Sequence, residues 1–239
     1  MKTCFRVLPV ALLVLAASSS LMGQTSESAD PVSANTKTTP SGALPQNTDN
    51  PYRLKRGDNE FGFWGGFSPA ATTIFGGLHD DEAEDRRFFI GAFRYGRTLV
   101  ANDSLALQYT LDAIPVAVAT GTIVSRATVG SVTTFRRETA YGGGVTPLGL
   151  QLDFANSSKI HPFVHVNGGL LVFNKSVPIE DAGHLALVGE AGGGVRFFTT
   201  EKRAITLGVR FHHISNGDTS GSNRGLNQFI IYGGFSIFK

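Results

Sequence analysis

The sequence predicts an all-β protein, an eight-stranded antiparallel transmembrane β-barrel with short periplasmic turns and longer extracellular loops, and three observations carry that prediction. Period-two segments of about ten residues recur from Asn59 to the C-terminus, the spacing at which an extended strand presents alternate side chains to opposite faces. The connections between these segments alternate between tight and long. Ahead of them lies a segment with the marks of an export signal.

The N-terminus has a positive start, Lys2 and Arg6, then an apolar run from Val7 to Ala17 interrupted by Pro9, then small residues through Gly23. Residues 1–23 are therefore read as a signal peptide, the apolar run falling short of the roughly 20 residues a spanning helix needs. The single cysteine, Cys4, lies inside it, so the mature chain is expected to have no disulfide and no thiolate metal site. With Lys2 and Arg6 removed, the 21 basic residues become 19, equal to the 19 acidic ones. That balance argues against a nucleic-acid binder. Residues 24–57 are rich in Ser, Thr, Pro, Asn and Asp, with too little apolar surface to offset the entropy of ordering, and read as a disordered polar spacer. Residues 58–239 are assigned to the barrel.

Strands are expected near 59–68, 86–98, 103–114, 141–155, 161–174, 185–199, 204–214 and 228–238. In the third, Leu105, Leu107, Tyr109 and Leu111 alternate with Gln108, Thr110 and Asp112; in the fourth, Leu148, Leu150, Leu152 and Phe154 alternate with Gln151 and Asp153. Val164, Val166, Leu170 and Val172 oppose His165 and Asn167, and Leu185, Leu187, Val195 and Phe197 oppose Glu190. The polar set is expected to line the lumen and the apolar set to face acyl chains. Tight turns are expected around 100–103, 156–159 and 200–203. Residues 69–85, 115–140, 175–184 and 215–227 form the long loops, with 116–132 also compatible with an additional hairpin. Gly142–Gly144 and Gly192–Gly194 lack a following helix pattern and read as relief for strand curvature, not phosphate loops. Phe238, next to the last residue, approximates the terminal aromatic that the barrel-assembly machinery reads in outer-membrane proteins. A soluble lipocalin-like barrel would show the same alternation with the faces reversed, yet the polar faces here carry fewer Lys, Glu and Thr than a solvated exterior usually does.

The seventh strand carries the chemistry. Ile205, Leu207, Val209 and Phe211 continue on one face into His213 and Ser215, placing a base and a hydroxyl on the lipid side near the extracellular rim. Residues two apart on a strand have Cα atoms about 6.5–7 Å apart, within reach for an imidazole leaning along the strand, and serine becomes a nucleophile only when a base takes its proton. His212 points to the lumen, and His165 with Glu190 is expected to make an interior hydrogen bond; too few ligands converge for a metal. Arg86-Arg87 and Arg136-Arg137 flank long loops, where they would face lipid phosphates or water.

The run His213-Ile214-Ser215-Asn216, followed by Asn223-Arg224-Gly225-Leu226-Asn227 leading into the last strand, resembles the lipid A 3-O-deacylase family of outer-membrane barrels over roughly residues 204–238. The resemblance implies that His213 is the general base, Ser215 the nucleophile and Asn216 part of the oxyanion hole. It implies hydrolysis of an ester-linked 3-hydroxyacyl chain of lipopolysaccharide in the outer membrane, with no metal or cofactor. Where the family has a glutamate that orients the histidine, this chain has Asn227. In the best-known serine triad, exchanging the orienting carboxylate for an amide lowers turnover by about ten-thousandfold. Two readings are therefore carried forward, a lipid A deacylase and a non-catalytic lipid-binding or structural barrel of the same family. Restoring Glu at 227 is expected to raise or preserve activity, and Asp218 is a candidate substitute carboxylate.

Overall fold

The computed structural model describes residues 50–239 except 76, 79–84, 130–131 and 222, with the backbone alone over 122–129 and 132–136. The expected signal peptide and most of the expected spacer lie outside the described residues. Among the described residues, nine strands occur in the order β1 (Asn59–Ser68), β2 (Ala71–Thr72), β3 (Arg87–Ala101), β4 (Leu105–Val129), β5 (Val132–Phe154), β6 (Ile160–Phe173), β7 (Leu185–Thr200), β8 (Arg203–Ser215) and β9 (Leu226–Phe238). Each of the long strands pairs antiparallel with the next, and β1 closes the sheet against β9. The result is an eight-stranded barrel. The two-residue β2 continues the line of β1 along β9, with Thr72 opposite Asn227.

Burial settles which face is inside. Leu207 is 56% exposed, Phe93 64% and Leu148 73%, while Gln108, Asp153 and Arg210 are buried completely. An apolar exterior around a polar interior reverses the lipocalin arrangement and fits a bilayer. Cross-strand aromatic pairs reinforce the outer surface: Phe61 meets Tyr95 with ring centres 5.5 Å apart, and Phe67 meets Phe89 at 4.6 Å.

The lumen is layered and packed, as an eight-stranded barrel requires, since its interior is just wide enough for side chains. At the turn end, Leu54, Ala106, Phe198, Ala204 and Phe238 form a small apolar cluster. Phe238 points inward, 5.2 Å from the Phe198 ring. At the loop end, Phe88, Ile114, Leu171, Phe173, Ile214 and Leu226 form a larger one, closed over by Leu78 and Val177 from the loops. Between them lie buried ion pairs. Arg94 binds both carboxylate oxygens of Asp112 at 2.7 Å. Arg196 bridges Glu60 at 2.8 Å and Asp153 at 3.0 Å. Glu190 accepts from Arg210, His212 and Asn167 at 2.8–2.9 Å, and the Arg210 guanidinium lies over the rings of both Trp64 and Tyr232.

Three expectations change. The segment 115–140 is no loop: β4 and β5 run on as one long hairpin, beyond the last β3 pairing at Thr120 and the last β6 pairing at Gly142. His165 does not bond Glu190, because the register sets Asn167 opposite Glu190 and His165 opposite Gly192. Residues 50–57, assigned to the spacer, sit on the barrel, where Asn156 accepts from the Leu54 N–H at 3.0 Å and donates to its carbonyl at 2.9 Å.

Candidate active site

β8 ends at the rim that carries the long connections. Its register with β9 places His213 directly opposite Asn227, and their side chains meet: Nδ1 of His213 lies 2.5 Å from Oδ1 of Asn227. Asn227 is 2% exposed, and its Nδ2 donates to the carbonyl of Ile74 at 3.0 Å. A carbonyl only accepts, so this second bond fixes which end of the amide faces which partner. Oδ1 is left facing His213, whose Nδ1 must then carry the proton. The imidazole lone pair is thereby placed on Nε2, the tautomer a general base needs.

Two glycines make the close packing possible. A Cβ on Gly225 would lie 2.6 Å from Cε1 of His213, and a Cβ on Gly77, whose φ is 103°, would lie 2.3 Å from the Gly225 carbonyl oxygen. The loop after β2 therefore stacks on residue 225, and residue 225 on the histidine ring. Phe75, at φ 68° and 85% exposed, sets its ring edge-on to Phe211 with centres 5.4 Å apart. Phe211 in turn meets Phe229 at 5.5 Å. These rings carry the apolar outer surface up to the histidine.

Ser215 lies half-buried on the same face as His213 and Phe211. Among the described residues, no hydrogen bond joins its hydroxyl to the imidazole. Asn216 is turned the other way. It is 3% exposed, its Nδ2 donates to the Ala182 carbonyl at 2.9 Å, and its Oδ1 accepts from the Asp218 N–H at 3.0 Å. The side chain expected from the sequence to be an oxyanion donor thus holds the β8–β9 turn to the neighbouring loop. Strand parity is the reason, since the residue after an outward serine points inward. Asp218, at φ 62°, belongs to that turn, and the contacts of His213 run to Asn227.

His212 and Arg86 serve the scaffold. His212 is buried and bonds Glu190 at 2.8 Å, in line with its expected place in the lumen. Arg86 is 3% exposed and donates to the Pro178 carbonyl at 2.7 Å, tying the β6–β7 loop to the rim instead of facing a phosphate. Arg137 pairs with Asp85; the side chain of Arg136 is outside the described residues. Sequence reasoning missed Ile74, Phe75 and Gly77, which lie in a loop about 140 residues before the motif. Gly225 was visible as a glycine inside it.

A family model described as lipid A 3-O-deacylase (PagL) matches residues 115–236, about half of the chain and all of the β8–β9 site. The chain belongs to the lipid A 3-O-deacylase family. As a member of that family with an apolar barrel exterior, it is a protein of the bacterial outer membrane. No curated protein matches it by sequence. The chain is similar in structure to the outer membrane enzyme PagL, at 14% identity and a TM-score of 0.44, covering 74% of this chain and 97% of that one. It is similar to Neisserial surface protein A at 12% identity and a TM-score of 0.42, covering 75% and 96%. The outer membrane protein OprG from Pseudomonas aeruginosa is similar at 12% identity and a TM-score of 0.40, covering 79% and 98%.

Proposed function

We propose that this family member is a working serine hydrolase, which removes an ester-linked 3-hydroxyacyl chain from lipid A in the outer leaflet. The observation that carries the reading is the His213–Asn227 bond on the lipid-facing rim, with the amide orientation set by Ile74. In this reading Nε2 of His213 takes the proton of the Ser215 hydroxyl as Oγ attacks the ester carbonyl. The tetrahedral adduct collapses, the sugar oxygen leaves with the proton returned by His213, and the 3-hydroxyacyl group stays on Ser215. Water, deprotonated by the same imidazole, then releases the fatty acid. Both half-reactions balance with protein groups and water alone.

The outward placement suits such a substrate. Its acyl chains lie along the same apolar surface that Phe211, Val209 and Leu207 present, so the ester reaches the rim without leaving the membrane. Asn227 orients the imidazole but brings no negative charge to the imidazolium that forms, which predicts turnover below that of a carboxylate-assisted site. The test is expression of wild type and Ser215→Ala in a lipopolysaccharide-bearing host, followed by mass analysis of lipid A. A loss of one 3-hydroxyacyl mass only with wild type supports hydrolysis. Identical lipid A from both leaves the non-catalytic barrel as the correct reading.

A further inference from the structure

Asn227 need not be a family glutamate that has simply lost its charge. Its amide spans two partners that no carboxylate could serve together. Oδ1 accepts from the imidazole, while Nδ2 donates to a backbone carbonyl. A carboxylate in this place would set an anionic oxygen against the Ile74 oxygen at about the 3.0 Å now spanned by a hydrogen bond, a contact between two acceptors.

The Ile74 carbonyl is itself held in place. Thr72 pairs with Asn227 across the short β2–β9 ladder, and the Thr72 hydroxyl accepts from the Ile74 N–H at 3.3 Å. Phe75 follows at φ 68°, a left-handed conformation that a bulky residue seldom adopts, with its ring against Phe211. Gly77 then passes so close to the Gly225 carbonyl that no side chain fits between them. A short strand, a hydroxyl-capped turn, an aromatic contact and a glycine contact thus fix one carbonyl above Asn227.

We propose that the Thr72–Phe75 segment is the fourth part of the site, in which the Ile74 carbonyl is a positioning group that orients Asn227 and, through it, His213. This rests on the hydrolase reading above and goes beyond it. The histidine is aligned by an amide relay that ends in a loop, in place of a charged residue. It reverses what restoring an acid at 227 should do. A carboxylate there loses the Ile74 bond and loosens the loop, even as it supplies charge.

The experiment uses full-length protein folded in detergent micelles with lipopolysaccharide, comparing wild type, Asn227→Asp and Asn227→Glu. Hydrogen exchange is measured over residues 71–75, and fatty-acid release is followed against pH. The relay predicts exchange on the order of tenfold faster over 71–75 in both variants, with the exchange of β8 unchanged. It predicts kcat lower by about tenfold or more near neutral pH. For Asn227→Asp, the ratio of variant to wild-type kcat should rise toward acid pH. A protonated aspartic acid can donate its O–H to Ile74 while its carbonyl accepts from His213, as the amide does. A purely structural defect would not produce that pH dependence. A kcat raised by either acid, a ratio that falls toward acid pH, or unchanged exchange over 71–75 would overturn the relay. An inactive wild type would sink the hydrolase reading by itself, and the exchange measurement would still test the Ile74–Asn227 bond.

Discussion

The buried charge network gives the sharpest stability prediction, through Glu190→Gln. The Glu190 carboxylate sits in the lumen with Arg210 and His212, all three inaccessible to solvent. Oε2 accepts from Arg210 at 2.9 Å and Asn167 at 2.8 Å, and Oε1 faces His212 at 2.8 Å. Glutamine keeps the shape and one acceptor oxygen for Arg210 and Asn167, and its NH2 meets His212 Nδ1, which accepts in the alternative tautomer. What is removed is the charge, and Arg210 is left as a buried cation against Trp64 and Tyr232. Breaking a buried pair on one side costs about 3–5 kcal/mol; because the hydrogen bonds survive, the lower end, about 3 kcal/mol, is expected here. The readout is urea unfolding in micelles followed through Trp64. It is the chain's single tryptophan and its ring lies 3.8 Å from the Arg210 guanidinium. Adding Arg210→Met should recover most of the loss, since removing both charges leaves nothing unpaired. A single-variant loss below about 1 kcal/mol, or a double variant no more stable than the single, would show that the Glu190 charge does not stabilise Arg210.

Two further predictions concern positions where packing is tight. Gly225→Ala should keep the barrel folded but lower deacylation by about a hundredfold, because its methyl would occupy the space of the His213 ring and displace it; normal folding with normal activity would contradict the geometry. Asn156→Ala should cost about 1–3 kcal/mol by leaving both backbone groups of buried Leu54 without their partner. Limited proteolysis should then cut near Leu54 in the variant and spare wild type.

How much of this was legible in the sequence depended on what alternation can encode. Period two placed Leu207, Val209 and His213 outside and Glu190 and Arg210 inside, and it counted the strands of the barrel correctly. It could not set register, since a slip of two residues leaves every side chain on its own face. That is why alternation alone matches His165 to Glu190 when Asn167 is its neighbour. The hairpin beyond Pro115 was obscured by register shifts at Thr110/Asp112 and Ile114/Ala117, which break the parity, and by small inward residues such as Ala117, Ala119 and Ala140. At the site, the motif contained His213 and Asn227, whose side chains meet, and Ser215 on the same face of β8. Strand parity contained the inward turn of Asn216, although the resemblance points the other way. The Ile74 carbonyl left no trace at all: a backbone oxygen has no sequence identity, and its partner is 153 residues away.

Whether the His213–Ser215 face hydrolyses a lipid A ester is decided by quantifying products from purified protein and purified lipid A in micelles. Wild type should release 3-hydroxy fatty acid in equal amount to the deacylated lipid A formed, and Ser215→Ala and His213→Ala, still folded, should release none. Fatty-acid release that persists at the wild-type rate in Ser215→Ala would contradict it, as would lipid A left intact by folded wild-type protein.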